Sequence, residues 1–348
     1  MARELTLICP GPESPRLSAL LAAVRKAHPF QQVSWMTDDL RDRRLLIAAA
    51  IPPSGVNLEL YQLLAFLRTH PGCLAGSTAG VVIDGTGDLY TKAAGRDLVL
   101  SASQAGCVFP GRPLVEATGS LRNFTVQARN AGCGLEEAYQ LAVADLMDRV
   151  STFAPPLRRR PQLLVLHASS RATSNTLALW GAVRAHLEDR CDITEVGLRN
   201  GTMEDCAGCP YTTCLHFGEQ GDCFYGGVMV QEVYPAVREA DAVVLLCPNY
   251  NDALSANLSA CINRLTALYR TTSFADKAVF AIVVSGYSGG DIVARQVVSA
   301  LNMNKGFWLP ADFCMLETAN DKGEAMALPG IGARANQFAI NILRQLSV

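Results

Sequence analysis

On either side of a proline- and arginine-rich segment, this chain runs twice through the same order of short apolar runs and amphipathic stretches. Runs such as Leu163-Leu164-Val165-Leu166 and Ala242-Val243-Val244-Leu245-Leu246-Cys247 are too short for buried helices. They leave no polar face for solvent, so they read as strands covered on both sides. Between them apolar residues recur at spacings of three and four, as in Leu258, Ile262, Leu265 and Leu268. That stripe belongs to a helix lying on a sheet. Strand and helix in strict alternation give βαβ units, a parallel sheet and a doubly wound α/β domain.

The pattern divides the chain at Ser151–Pro161, where three prolines and three arginines continue neither a helix nor a buried strand. Residues 1–152 are expected to form one domain, 153–161 a linker and 162–348 a second domain. In the second, the pattern predicts strands at Gln162–His167, Ile193–Leu198, Ala242–Cys247, Ala278–Val284 and Ala311–Leu316. Helices are expected at Asn175–Leu187, Val228–Arg238, Leu254–Tyr269, Asp291–Asn302 and Arg334–Leu346. The first repeats the layout, with strands at Leu5–Cys9, Val33–Met36, Leu45–Ile51, Gly80–Asp84 and Pro113–Ala117. Its helices are expected at Leu17–Ala27, Leu58–Arg68, Tyr90–Ala105 and Leu135–Val150. Leu67-Arg68-Thr69 falls in step with Tyr269-Arg270-Thr271, which suggests a duplication.

A hydrophobic share of 49% with 18% charged residues is globular and too apolar for disorder. The net charge of −2 supplies no basic footprint, so no nucleic-acid partner is expected. No run approaches the roughly 20 apolar residues of a membrane span. The N-terminus enters a strand pattern at once instead of reading as a secretory signal, so a cytoplasmic location is expected. A reducing compartment makes the 12 cysteines poor disulfide formers. Eight of them (Cys9, Cys73, Cys107, Cys133, Cys191, Cys247, Cys261 and Cys314) are scattered and read as small buried hydrophobes. The other four, Cys206, Cys209, Cys214 and Cys223, fall within 18 residues in an insertion spanning 202–227. Thiolates from one short loop suit a soft metal centre, either an iron–sulfur cluster or tetrahedral zinc. Uncoordinated thiols, a Cys3His zinc site using His216, and a redox dithiol at Cys206-Ala-Gly-Cys209 remain alternatives.

Directly after the first strand of the second domain comes Ser169-Ser170-Arg171-Ala172-Thr173-Ser174-Asn175-Thr176, leading into a helix. Hydroxyls and N–H groups at a helix N-terminus, with Arg171 for charge, can surround a phosphomonoester. An ordinary N-cap by Ser174 or Asn175 is the plainer reading. The corresponding loop of the first domain, Pro10–Arg16, carries Glu13 and three prolines, which repel phosphate and remove donors, so that copy reads as degenerate.

The run Ser169-x-Arg171-x-x-Ser174-Asn175-Thr176 resembles the FMN-phosphate loop of the NAD(P)H-dependent FMN reductases and iron–sulfur flavoproteins, which share the flavodoxin-like fold. Pro248-Asn249-Tyr250-Asn251, with Asn263-Arg264 ending the next helix, resembles that family's isoalloxazine-side segment. Ser285-Gly286-Tyr287-Ser288-Gly289 resembles its third flavin loop. Both tyrosines can stack on a flat ring, while the amides and open backbone can bond its polar edge. The resemblance implies two tandem flavodoxin-like domains with five-stranded parallel sheets, and one FMN in the second. It also implies NAD(P)H as electron donor, a small-molecule or protein acceptor, and a [4Fe-4S] cluster (or zinc) on the four cysteines. The spacing Cys-x2-Cys-x4-Cys-x8-Cys is wider than the family's compact motif. The function implied is an electron relay or a quinone or FMN reductase. A non-enzymatic electron carrier or redox sensor is the alternative. No residue stands out as a catalytic acid. Family members form homo-oligomers with flavin near the interface, a role the first domain would supply within one chain.

Overall fold

The computed structural model describes residues 4–169 and 174–348 and divides into two compact units, Met1–Ala154 and Pro155–Val348. The first contains β1 (Leu5–Ile8), α1 (Pro15–Arg25), β2 (Phe30–Gln32), β3 (Arg44–Ile51), α2 (Leu58–Thr69), β4 (Thr78–Gly85) and α3 (Thr91–Gln104). It continues with β5 (Leu114–Ala117), α4 (Thr125–Ala131) and α5 (Leu135–Thr152). Its sheet is parallel in the order β2-β1-β3-β4-β5.

The second unit contains β6 (Gln162–His167), α6 (Asn175–Arg184), β7 (Asp192–Gly197), α7 (Tyr211–Glu219), α8 (Tyr234–Glu239), β8 (Ala242–Pro248) and α9 (Ala256–Tyr269). It ends with β9 (Ala278–Ser285), α10 (Gly290–Val297), β10 (Cys314–Thr318), α11 (Glu324–Ala327) and α12 (Ile331–Leu346). π-helical turns precede α8 at Met229–Val233 and extend α10 at Val298–Lys305. The strand order β7-β6-β8-β9-β10 is that of the first sheet, and all pairings are parallel. This is the flavodoxin-like order, which reverses direction between its first and third strands and opens a crevice there.

Burial explains the strands. All eight residues of β4 and all eight of β9 are buried, as central strands covered by helices on both faces must be. Four rim helices start alike. The side chains of Ser14, Asn57, Ser174 and Ser255 accept from the backbone N–H of Leu17, Leu60, Leu177 and Leu258. Each cap satisfies one orphan donor and fixes where its strand-end loop turns into helix.

Several expectations shift. The first unit's edge strand is Phe30–Gln32, not Val33–Met36, because β1 pairs Leu5 with Phe30 and Trp35 packs on Phe66 instead, at 5.5 Å. Part of the expected linker pairs with the chain end: the Arg158 N–H donates to the Leu346 carbonyl at 2.7 Å. Of the eight scattered cysteines, Cys107, Cys191, Cys247 and Cys261 are buried and the rest only half-buried. Burial pushes the Cys191 thiol up to about 11 and Cys261 to about 12.

The rim of the first unit is internally closed. Arg16, in the loop that corresponds to the phosphate loop, donates from Nε to Asp84 Oδ2 at 2.8 Å. Its other nitrogens donate to the carbonyls of Gly85 and Thr118. Ser14 Oγ donates to the second Asp84 oxygen at 2.8 Å. Asp84 is the next-to-last residue of β4 and its side chain is 1% exposed, so the cation and hydroxyl available for a ligand are spent on an internal carboxylate.

Candidate functional site

At the carboxyl end of the second sheet, the loops after β6, β7, β8, β9 and β10 converge on one cavity of about 900 Å³. Ser169, Ser174, Asn175 and Thr176 line it from the β6 loop; Pro248, Asn249, Tyr250 and Asn251 from the β8 loop; Gly286 from the β9 loop. Ser285, Tyr287 and Gly289, also expected here, do not line it directly. Ser285 is buried behind it and Tyr287 stands 82% exposed at its edge. Arg171 lies outside the described residues.

Ser174 performs the capping role: its Oγ accepts from the Leu177 N–H and donates to Ser169 Oγ at 3.1 Å. The first-turn N–H groups of α6 are therefore presented beside two hydroxyls, the arrangement an anion requires. Asn175 is committed elsewhere. Its Nδ2 donates to the carbonyl of Asp321 at 2.8 Å, and its Oδ1 accepts from the N–H groups of Gly323 and Ala325. It acts as a latch that brings the β10 loop to the cavity, with Asn320 and Lys322 in the lining. Among the described lining residues, Lys322 carries the one charge.

Asn249 joins the two ring-side loops. Its Nδ2 lies 3.0 Å from the Ser288 carbonyl, 3.2 Å from Ser285 Oγ and 3.3 Å from Asp252 Oδ1. Its Oδ1 is buried and has no partner among the described residues, an acceptor waiting for a donor such as the imide N–H of a flavin ring. Asn251 and Asp252 follow in the left-handed conformation, φ 56° and 57°, which these residue types tolerate best after glycine. Gln296 on α10 holds that turn from both sides, accepting from the Leu254 N–H and donating to the Asp252 carbonyl. Gly289 sits at φ 83°, and a Cβ there would fall 2.0 Å from Asp252 Oδ1, so the close approach of α10 requires glycine. Six asparagines line the walls: Asn175, Asn200, Asn249, Asn251, Asn257 and Asn320. Amides both donate and accept, matching the alternating carbonyls and N–H of a flavin edge. The residues present fit FMN.

The four clustered cysteines line a second cavity of about 160 Å³. Cys206 is exposed and the other three are half-buried. A helix absent from the expected layout, α7, carries Cys214 within it. Gly218 lets α7 settle on α9, since a Cβ there would meet the Ala267 carbonyl oxygen at 2.6 Å. The loop is pinned to α9 where Asn257 donates to the Leu198 carbonyl and Asn263 to Asp205 Oδ1, at 2.7 and 2.9 Å. Phe217, Phe224 and Tyr225 close the walls edge to face, and Arg264 and Arg270 supply positive charge. Among the described residues, no group of three or more His, Cys, Asp or Glu side chains is set to hold a metal ion. His216 is not in the cavity lining.

Residues 161–321 match the family model of the NADPH-dependent FMN reductases. The match covers most of the second unit and none of the first. It supports an FMN-dependent NAD(P)H oxidoreductase. No curated protein matches the chain. Among solved structures, the NAD(P)H:quinone oxidoreductase from Methanothermobacter marburgensis is similar at 16% identity and a TM-score of 0.39, over 53% of this chain and 97% of its own. The FMN-dependent NADH-azoreductase from Bacillus anthracis, solved with FMN, is similar at 10% identity and a TM-score of 0.36, over 52% and 99%. Among the described residues, no helix is long and apolar enough to cross a membrane.

In the second unit, sequence reasoning missed Lys322, Asn320, Gln296 and α7. Lys322 falls one residue beyond the family match, and only the Asn175 latch connects it to the phosphate loop. His167, at the end of β6, was also unremarked. Its Nδ1 contacts the Ser169 carbonyl at 3.1 Å, and burial pushes its imidazole below the ordinary value. The fold therefore favours the neutral ring, and this contribution to stability is complete above the unfolded value of about 6.5. It is lost as pH falls through the folded value. Thermal unfolding of the second unit should drop as pH falls below about 6.5, and His167→Gln should flatten that slope. An unchanged slope in the variant would remove His167 as its source.

Proposed function

We propose that the second unit binds FMN in the 900 Å³ cavity and oxidises NAD(P)H, and that the four-cysteine cavity holds an iron–sulfur cluster. The observation that carries the reading is the convergence of five strand-end loops on one amide-rich cavity with an orphaned acceptor at Asn249. Bound FMN supplies acceptance of a hydride as an electron pair and release of electrons one at a time. The chain's own residues do the rest. Ser169, Ser174 and the start of α6 take the phosphate, with Lys322 adding charge from the far side. Asn249 and its partners orient the ring edge, and Tyr250 and Tyr287 flank the ring plane. Cys206, Cys209, Cys214 and Cys223 share one cavity with positive walls, which supports the cluster. They would draw together to hold it, since among the described residues they do not stand as a metal-holding group. α9 spans both places: Ser255 and Ala256 touch the first cavity while Asn263 and Arg264 touch the second.

Anaerobically purified full-length protein should show flavin absorption on FMN addition, with FMN bound at least about 100-fold tighter than riboflavin, since the phosphate supplies the charged contacts. It should oxidise NADH or NADPH with a quinone acceptor. Protein that stays colourless with excess FMN would end the flavin reading. Iron with acid-labile sulfide supports the cluster, and zinc or no metal would replace it with a structural site or free thiols.

A further inference from the structure

We propose that Asn175 sets the preference for phosphorylated flavin by holding Lys322 beside the phosphate loop. The inference rests on the flavin reading above and gives it a positioning residue. Asn175 is the first residue of α6, next to the capping Ser174. Its side chain grips the chain on both sides of Lys322. Nδ2 donates to the Asp321 carbonyl at 2.8 Å, and Oδ1 accepts from the Gly323 N–H at 3.1 Å. Two longer bonds, to the Ala319 carbonyl and from the Ala325 N–H, each measure 3.4 Å. A turn tied at both neighbours of Lys322 fixes where the lysine leaves the backbone. From there a four-carbon stem carries the ammonium into the lining of the cavity.

The same turn is closed on itself. Glu324 Oε2 accepts from the N–H groups of Asn320 and Asp321 at 2.6 and 2.8 Å. Asp321 Oδ1 accepts from Asn320 Nδ2 at 3.3 Å. The two acids nearest Lys322 in the chain are thus turned to the loop's own donors, and neither lines the cavity. Among the described residues, no hydrogen bond or ion pair engages Lys322 itself. Its charge is left for a ligand. The helix that follows, α11, packs on α6 with Ala325 fully buried, so the fold does not depend on the latch alone.

A phosphomonoester carries roughly −1.5 to −2 charge at neutral pH, and riboflavin, which lacks it, carries none. The hydroxyls of Ser169 and Ser174 can donate to the phosphate but bring no charge. Among the described lining residues, the charge contrast between the two flavins therefore falls on Lys322. Lys322 is exposed, so its attraction is screened by salt and is weaker than that of a buried pair. Released from the latch, the same ammonium would be spread over many positions, and ordering it on binding would oppose the attraction.

The test measures FMN and riboflavin dissociation constants of the full chain by quenching of flavin fluorescence, at low and high salt. Wild type is compared with Lys322→Met, Asn175→Ala and the double variant. Riboflavin affinity should stay within about twofold throughout, because the ring-side contacts are untouched. The ratio of FMN to riboflavin affinity should fall about 10-fold in Lys322→Met and about 5-fold in Asn175→Ala. The double variant should lose no more than Lys322→Met alone, because the latch acts through the lysine. Raising salt should lower the ratio in wild type and change it less in Lys322→Met. If Asn175→Ala weakens both flavins alike, its role is merely structural. If the two losses multiply in the double variant, Asn175 acts without the lysine. Either result overturns the proposal, and so does a ratio unmoved by Lys322→Met, which leaves FMN binding itself in place. Wild-type protein that binds no FMN ends the flavin reading, and this assignment with it. Should Asn175→Ala fail to fold, Asn175→Gln replaces it, keeping the amide but displacing it by one methylene. The ratio should then fall as well, and an unchanged ratio overturns the proposal.

Discussion

Asn249→Ala is expected to weaken FMN binding by about 100-fold, or roughly 3 kcal/mol, measured by quenching of flavin fluorescence. The side chain does two things at once. Its Nδ2 ties the β8 loop to Ser285 and Ser288 on the β9 loop, and its buried Oδ1 is left for the ligand. Removing it loses several hydrogen bonds of about 1 kcal/mol each and leaves their polar partners to find water. It also frees a turn in which two successive non-glycine residues adopt positive φ, a conformation that persists only when its surroundings hold it. Gln296 still bridges the turn, so the fold should survive with an unchanged circular dichroism spectrum. An affinity within about threefold of wild type would show that the ring edge is not read by this amide.

Asp84→Ala should destabilise the first unit by about 3–5 kcal/mol, because it strips the partner from a largely enclosed arginine. Asp84 is 1% exposed on its side chain against 24% for Arg16, so the removal leaves a cation held among carbonyl oxygens with no anion. In calorimetry the transition of this unit should fall by roughly 6–12 °C. Replacing the pair together, Arg16→Met with Asp84→Leu, should recover most of the loss, since neither charge then remains buried. Equal losses in the single and double variants would mean that Asp84 acts through packing and not as a counter-ion. Arg16 and Ser14 are both engaged internally, on Asp84. In the second unit the equivalent crevice is an open cavity with one charged lining residue among those described.

Most strands were legible because they are central. All eight residues of Ala278–Ser285 and of Thr78–Gly85 are buried, and no other environment suits the apolar runs at their centres. The edge strand β2 was misplaced by three residues because it pairs on one side only. There the neighbour's register decides, not the apolar pattern of Val33–Met36. The helix α7 was hidden because Tyr-Thr-Thr-Cys-Leu-His-Phe-Gly-Glu has mediocre helix propensity. It is held by docking on α9 through Gly218 and by the Arg270 guanidinium over the Tyr211 ring at 4.5 Å. In the site, the strand-end loops were visible as loops; Ser169, Ser174, Asn175, Thr176, Pro248, Asn249, Tyr250, Asn251 and Gly286 line one cavity, and Ser285, Tyr287 and Gly289 do not. The destination of individual side chains was not. Asn175 reads as a phosphate ligand in sequence and is a latch in the structure, because its partners lie about 145–150 positions away.

Local periodicity and loop chemistry determined by themselves that this chain alternates strand and helix in two successive runs, and that polar turns follow the strands of the second. These are properties of neighbouring residues, fixed by the 2.0 and 3.6 repeats of the backbone. Tertiary structure alone decided which arginine finds an acid, which amide is left with a free oxygen, and that four thiols share a cavity with a buried guanidinium. Those outcomes depend on contacts between segments far apart in the chain, where packing and the cost of burying an unpaired polar group choose the partner.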